Sequence, residues 1–199
     1  MANKFFVAPS PHVHGSQSTR SLMRDVLIAL LPALAVSTWV YGTDVLTVSA
    51  IAVVSCVAIE FLIQKFLLGG ELTVSNLSAA VTGLLLAFNL PASIPWWIVV
   101  IGSAVAIGVA KMTFGGLGRN PFNPALVGRV FLLIAYPVQM TSFSAPTVEG
   151  YSDAFSGATP LAAVKSGAVS VEDADLLNMF GGAVSGSLGE IAAAALIVG

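Results

Sequence analysis

The sequence predicts an all-α, polytopic membrane protein with about five complete transmembrane helices and the start of a sixth. Three observations carry that expectation. Of 199 residues, 56% are hydrophobic and 9% charged, and mean hydropathy is +0.91; soluble domains carry charge on about a quarter of their positions. The apolar residues gather in blocks, at Val26 to Tyr41, Val45 to Leu68, Leu77 to Leu90, Ile94 to Met112, Ala125 to Val138 and Ile191 to Gly199. Most of the charged residues lie between or at the ends of those blocks.

Met1 to Ser21 is polar and holds Pro9, Pro11, His12 and His14, so no cleavable signal precedes the first span. His12 and His14 without further ligands make a weak metal pair, and no metal site is expected. About twenty apolar residues cross ~30 Å of hydrocarbon as a helix. The second and fourth blocks meet that length; the first, third and fifth are short, which implies kinks, buried non-helical ends or neighbouring protein. The final block stops after nine residues, which reads as a sixth helix cut short.

Threading the spans alternately puts Lys4, Arg20, Arg24, Lys65, Lys111, Arg119 and Arg129 at or near one side and leaves Lys165 on the other. Positive charge collects inside, so the first side is cytoplasmic. The long segment from Gln139 to about Gly189 then lies outside, with Glu149, Asp153, Glu172, Asp173 and Asp175 against one lysine. Trp96 and Trp97 after Pro95 suit the outer interface, where indole rings anchor helix ends. A net charge of −2 argues against nucleic acid, which needs a basic face. A lone Cys56 cannot pair within the chain and reads as a small packing residue.

Three stretches invite function. Glu60 falls in the inner third of the second span, and an intramembrane carboxylate marks an ion-pathway candidate. It lies near Gln64 and Lys65, and Glu60 and Lys65 can both snorkel to the interface. Phe114 to Pro124 packs Gly115, Gly116 and Gly118 with Arg119, Asn120-Pro121 and Asn123-Pro124 between two spans. Asn-Pro steps disfavour helix and glycine admits positive φ, so an irregular, re-entrant turn is expected. Such backbone persists in a membrane only when buried in protein or lining a wet cavity. It can serve ions, substrate or cofactor, or simply join two helices. The octet Asp153-Ala154-Phe155-Ser156-Gly157-Ala158-Thr159-Pro160 opens a polar loop. There Thr159-Pro160 reads as an N-cap and first helical position, and Asp153 as an Asx-turn former.

The Ser156-Gly157-Ala158-Thr159 motif with Asp153 upstream resembles the flavinylation motif of a membrane-flavoprotein family. That family holds the D subunits of Rnf electron-transport complexes and the B subunits of sodium-pumping NADH:quinone oxidoreductases. The similarity extends over Ser10-Pro11-His12, Thr82-Gly83-Leu84-Leu85-Leu86-Ala87, Pro95-Trp96-Trp97, Gly115 to Ala125 and Pro137-Val138-Gln139-Met140-Thr141-Ser142. It favours the Rnf branch, because the first span begins by about residue 26.

The resemblance implies FMN joined to the Thr159 hydroxyl by a phosphoester, placed there by a separate flavin transferase. Ser156, Gly157, Ala158 and Asp153 complete the cofactor-binding motif, with Asp153 serving transferase recognition or turn formation, and a non-covalent riboflavin or second flavin is a further cofactor to look for. Thr159 is then an attachment point and no residue is a catalyst, since the cofactor carries the electrons. A helix starting at Pro160 would favour the phosphodiester by about 0.3–1 kcal/mol. The implied function is electron relay between ferredoxin and NAD coupled to Na+ or H+ movement, in a bacterial cytoplasmic membrane, with other Rnf subunits and lipid as partners. Glu60, Gly115, Gly116, Gly118, Asn120 and Asn123 are the candidates for the ion path or central cavity. The organisation becomes 1–25, a cytoplasmic segment; 26–140, a first transmembrane repeat with its re-entrant 114–124 stretch; 141–188, an external flavin-attachment loop; and 189–199, the start of an inverted second repeat. The rivals are the quinone-linked homologue, a channel or secondary transporter without flavin, and a structural anchor.

Overall fold

The computed structural model describes residues 18–69, 72–144, 156–157, 159–167, 185–190 and 193–199. Helix α1 runs Thr19–Tyr41, so it starts before the apolar block and carries Arg20 and Arg24 on its first turns. Ser18 Oγ accepts the Ser21 N–H at 3.2 Å, and Gly42 at φ +79° ends the helix by donating to Thr38 O, the left-handed stop that glycine adopts without a Cβ penalty. Helix α2, Asp44–Leu62, continues through wider π-type turns over Ile63–Leu68 to Gly69 at φ +56°. A single 3₁₀ turn, Val74–Asn76, leads into α3, Ser78–Phe88. Helix α4, Trp96–Ala104, also widens, over Val105–Met112.

Asn123 opens α5, Pro124–Ala135, by accepting the Ala125 N–H at 3.0 Å, with Pro124 at the first helical position where no intrahelical N–H is needed. The fifth apolar block does not continue as one helix, since Tyr136 breaks it and α6, Pro137–Thr141, follows. Strands β1, Phe143–Ser144, and β2, Ser156–Gly157, pair antiparallel. Among the described residues, these two strands of two residues each are the exception to a helical fold. Helix α7 is Pro160–Lys165 and α8 is Ala193–Val198.

Among the described residues, α1 and α2 with its π extension are long and apolar enough to cross a membrane. The helices over Ser78–Phe88, Trp96–Met112 and Pro124–Ala135 are shorter. These pack as an interior of small residues, as expected where lipid gives no hydrophobic drive between helices and close backbone approach must supply dispersion. A Cβ on Gly83 of α3 would sit 2.7 Å from Val53 Cα and 2.8 Å from Ala52 O of α2, and one on Gly128 of α5 would sit 2.9 Å from Gly102 O of α4. Around these contacts Ala52, Leu86, Ile98, Val99 and Leu132 are sealed.

Gly83→Ala is therefore expected to lower the stability of the full-length protein by about 1–3 kcal/mol, because rigid backbone of α2 must move. Gly102→Ala meets only the movable end of Leu132, at 2.6 Å, and should cost clearly less. Thermal unfolding of the two purified variants in one detergent checks the order; equal melting temperatures would contradict it.

Candidate functional site

The helices define two ends. Asp44, Thr47 and Val48 at the start of α2 share a surface pocket with Ala92, Ser93, Ile94 and Trp96 before α4, so these mark one end of the bundle. Glu60 lies sixteen residues along α2 and Lys111 fifteen along α4, so both sit about 22–24 Å from that end.

At this depth Lys111 Nζ reaches Glu60 Oε2 at 2.5 Å and Ser78 Oγ at 2.7 Å. Glu60 is 1% and Lys111 2% exposed, so the two charges face each other shielded from bulk solvent. Glu60 Oε1 accepts from Gln64 Nε2 at 3.2 Å; Gln64 Nε2 also donates to Thr73 Oγ1 at 2.7 Å, and Thr73 N returns a bond to Gln64 Oε1 at 2.8 Å. The sequence allowed Glu60 and Lys65 to snorkel together to the interface. The structure corrects this for Glu60, which is sealed against Lys111, while Lys65 Nζ lies over the rings of Phe61 and Phe66, 5.4 and 5.5 Å from their centres. Lys111, grouped by sequence with the cytoplasmic charges, is instead drawn into the protein. Ser78 follows Leu77, whose φ of +65° makes it the one described non-glycine residue at positive φ. Such strain is held only where the surroundings over-determine it.

The glycine stretch meets the same lysine. Lys111 O accepts from Gly116 N at 3.0 Å. With its amide oriented to donate, Asn120 reaches Lys111 O at 3.1 Å and Gly116 O at 2.9 Å. Gly115, Gly116 and Gly118 have φ of +96°, +88° and +84°, a run of left-handed backbone that side chains would resist. Glu60, Gly116 and Asn120 thus converge on Lys111, while Asn123 caps α5 and Gly118 lies exposed in the turn. An open cavity of about 500 Å³ adjoins the cluster, with Gln64, Thr73, Ser75, Asn76, Gly115 and Gly116 in its wall.

The other end carries the threonine. Thr159 caps α7 at φ −63°, ψ 151°, its oxygen accepting from Ala162 N at 3.3 Å, as Thr159-Pro160 predicts. The preceding motif residues form β2, paired Ser144 with Ser156 and Phe143 with Gly157. β1 follows Ser142, whose O accepts from Ser93 Oγ at 3.3 Å, so the ladder hangs from the Trp96 end. Asp153 and Ala158 lie outside the described residues.

Arg129 also belongs to this end. Gly128 faces Gly102, so α5 starts level with the middle of α4, and Arg129 Nη1 donates to Asn89 Oδ1 at 2.7 Å, at the end of α3. Grouping Arg129 at the same end as Lys111 is therefore corrected. Residues 186–190 thread into the same region: Tyr41 OH accepts from Gly186 N and donates to Gly186 O, Ser37 Oγ donates to Leu188 O, and Gly189 N donates to Phe88 O. Trp97 stacks edge-on against Tyr136 with ring centres 5.3 Å apart. Sequence spacing exposed none of these partners, because each lies on a different element.

Comparison with known proteins adds the lineage. The profile of the NQR2, RnfD, RnfE family matches residues 6–199. The chain is 49% identical over 195 residues to the D subunit of the Na(+)-translocating ferredoxin:NAD(+) oxidoreductase complex of Acetobacterium woodii, covering 97% of this chain and 60% of that one. It is 45% identical over 145 residues to the D subunit of the ion-translocating oxidoreductase complex of Salmonella paratyphi A, covering 71% of this chain and 41% of the relative. With the protein of the same description from Escherichia coli O1:K1 / APEC the identity is 42% over 165 residues, 78% of this chain and 47% of the other. The chain thus spans about 60% or less of the length of these relatives. It belongs to the NQR2, RnfD, RnfE family.

Proposed function

We propose, from membership of this family, that the chain forms the first membrane half of a redox-driven ion-translocating protein of the Rnf type, working in a ferredoxin:NAD oxidoreductase complex. The observation that carries the reading is the 49% identity across 97% of the chain to a relative whose name states that activity. The family also includes the quinone-linked branch; the names of the three relatives favour the ferredoxin-linked one. Five spans and the start of a sixth, in a bacterial cytoplasmic membrane and followed by an inverted second half, complete the proposed architecture. Thr159 lies on the external side, and the N-terminus and Gly115 to Asn123 on the cytoplasmic side.

Thr159 is the proposed attachment point for FMN, with Asp153, Ser156, Gly157 and Ala158 recognised by a flavin transferase. The fit is favourable: the one hydrogen bond at the Thr159 hydroxyl among the described residues uses an oxygen lone pair, so esterification leaves it in place, and the residue is half-exposed. α7 has six residues, so its dipole adds little. When bound, FMN supplies reversible electron transfer. The chain's part is to hold the attachment residue, through the β1–β2 ladder, beside the Trp96 end of the bundle. At the opposite end, the Glu60, Lys111 and Ser78 cluster is the proposed ion-route element for Na+ or H+. A channel without flavin would leave the motif idle.

Full-length protein co-expressed with its transferase is expected to fluoresce as a flavin band in a denaturing gel, and its mass to exceed that of the bare chain by one FMN less water. Absence of the adduct with a demonstrably active transferase would overturn the flavin assignment.

A further inference from the structure

We propose that Gln64 and Thr73 form an inner gate, through which a small monovalent cation exchanges its water and reaches Glu60. The proposal rests on the reading of Glu60 as an ion-route residue and adds the means of entry.

The two carboxylate oxygens of Glu60 have different surroundings. Oε2 is taken by Lys111, whereas Oε1 is covered by a single neutral amide, Gln64 Nε2, at 3.2 Å. Gln64 is 4% exposed yet forms part of the wall of the 500 Å³ cavity, so one side chain separates that cavity from the buried carboxylate. The shorter contacts of the amide point the other way: it is held at both its nitrogen and its oxygen by Thr73, at 2.7 and 2.8 Å, and Thr73 is exposed on the cavity wall. The Gln64–Thr73 pair is therefore a latch with its own reciprocal hydrogen bonds, resting on the carboxylate through its longest one.

The cavity chemistry suits a cation in transit. Among the described residues its polar groups are hydroxyls, amides and glycine backbone, with no charged side chain in the wall. The ammonium of Lys65 is turned to aromatic rings instead. Small hard cations take oxygen ligands and exchange water for them stepwise. Rotation of the Gln64 amide presents Oε1 of glutamine, Oγ1 of threonine and Oε1 of Glu60 to one point, without breaking the Lys111 contact. The π-type turns over Ile63–Leu68 place Gln64 where the helix ladder is already loosened, a feature that recurs at functional sites.

The test uses the complete complex in inside-out membrane vesicles. Uptake of radioactive sodium and of protons is measured per electron transferred, at limiting and saturating ion. Gln64→Met keeps the length of the side chain and removes its polar atoms; Thr73→Val removes only the hydroxyl. Each is expected to raise the half-saturating ion concentration about tenfold, the loss of one oxygen ligand to the passing cation, with the saturated rate within twofold of the parent. Thr73→Ser, which keeps the hydroxyl, should behave as the parent. Parent-like half-saturation in both Gln64→Met and Thr73→Val, with uptake lost in Glu60→Gln, overturns the gate and leaves the Glu60 route standing. Normal uptake in Glu60→Gln overturns the route, and the gate with it.

Discussion

Replacing Thr159 with valine is expected to abolish covalent flavin on this chain, and with it electron relay, while membrane insertion proceeds normally. Valine keeps the β-branched shape and removes only the oxygen, so no phosphoester can form. Among the described residues the structural loss is one cap: Thr159 Oγ1 accepts a 3.3 Å bond from Ala162 N, and removing an N-cap costs about 1 kcal/mol. That cost falls on a six-residue helix that takes no part in the contact between α2 and α3 or between α4 and α5. Mass spectrometry of the intact chain and of the Thr159 peptide should show the adduct in the parent alone, with equal amounts of both proteins in the membrane. An adduct persisting in the valine variant would move the attachment to another residue. Failure of the variant to insert would mean that the threonine serves the fold, contrary to the confinement of its hydrogen bond, among the described residues, to α7 itself.

The legible and the hidden parts of this molecule separate by distance along the chain. Local chemistry was readable: Pro124 and Asn123 announce the start of α5, Thr159-Pro160 announces α7, and the three glycines before α5 take the positive φ their composition predicts. Apolar blocks located the helices, but not their ends. α1 extends back over Arg20 and Arg24, since charged side chains at a helix end can reach the interface, and Tyr136 interrupts the last long block. Glu60 was visible as an intramembrane carboxylate, and Gln64 one turn later is its neighbour by helical period. Its charge partner was not visible, because Lys111 stands 51 residues away on another helix. Periodicity reports which face a residue occupies and says nothing of what that face meets. The same reason hid Arg129 against Asn89, 40 residues apart, and Tyr41 against Gly186, 145 apart.

Lys111→Met, by contrast, should weaken the whole fold. A buried ion pair adds little net stability when intact, since desolvation offsets the attraction, but cutting one partner strands the other charge. Here Glu60 would keep only the 3.2 Å bond from Gln64, at 1% exposure, and Ser78 Oγ would lose its lysine donor. The expected cost is about 3–5 kcal/mol, a fall of roughly 10 °C in the melting temperature of the detergent-purified protein. The double variant Glu60→Gln with Lys111→Met removes both charges and should recover most of that loss, because no bare ion remains. Recovery of stability without recovery of ion uptake would separate the two roles of the pair: the fold needs its charges balanced, whereas the route needs the carboxylate. A single Lys111→Met variant as stable as the parent would show that water or another cation compensates Glu60, and would contradict the sealed pair between α2 and α4.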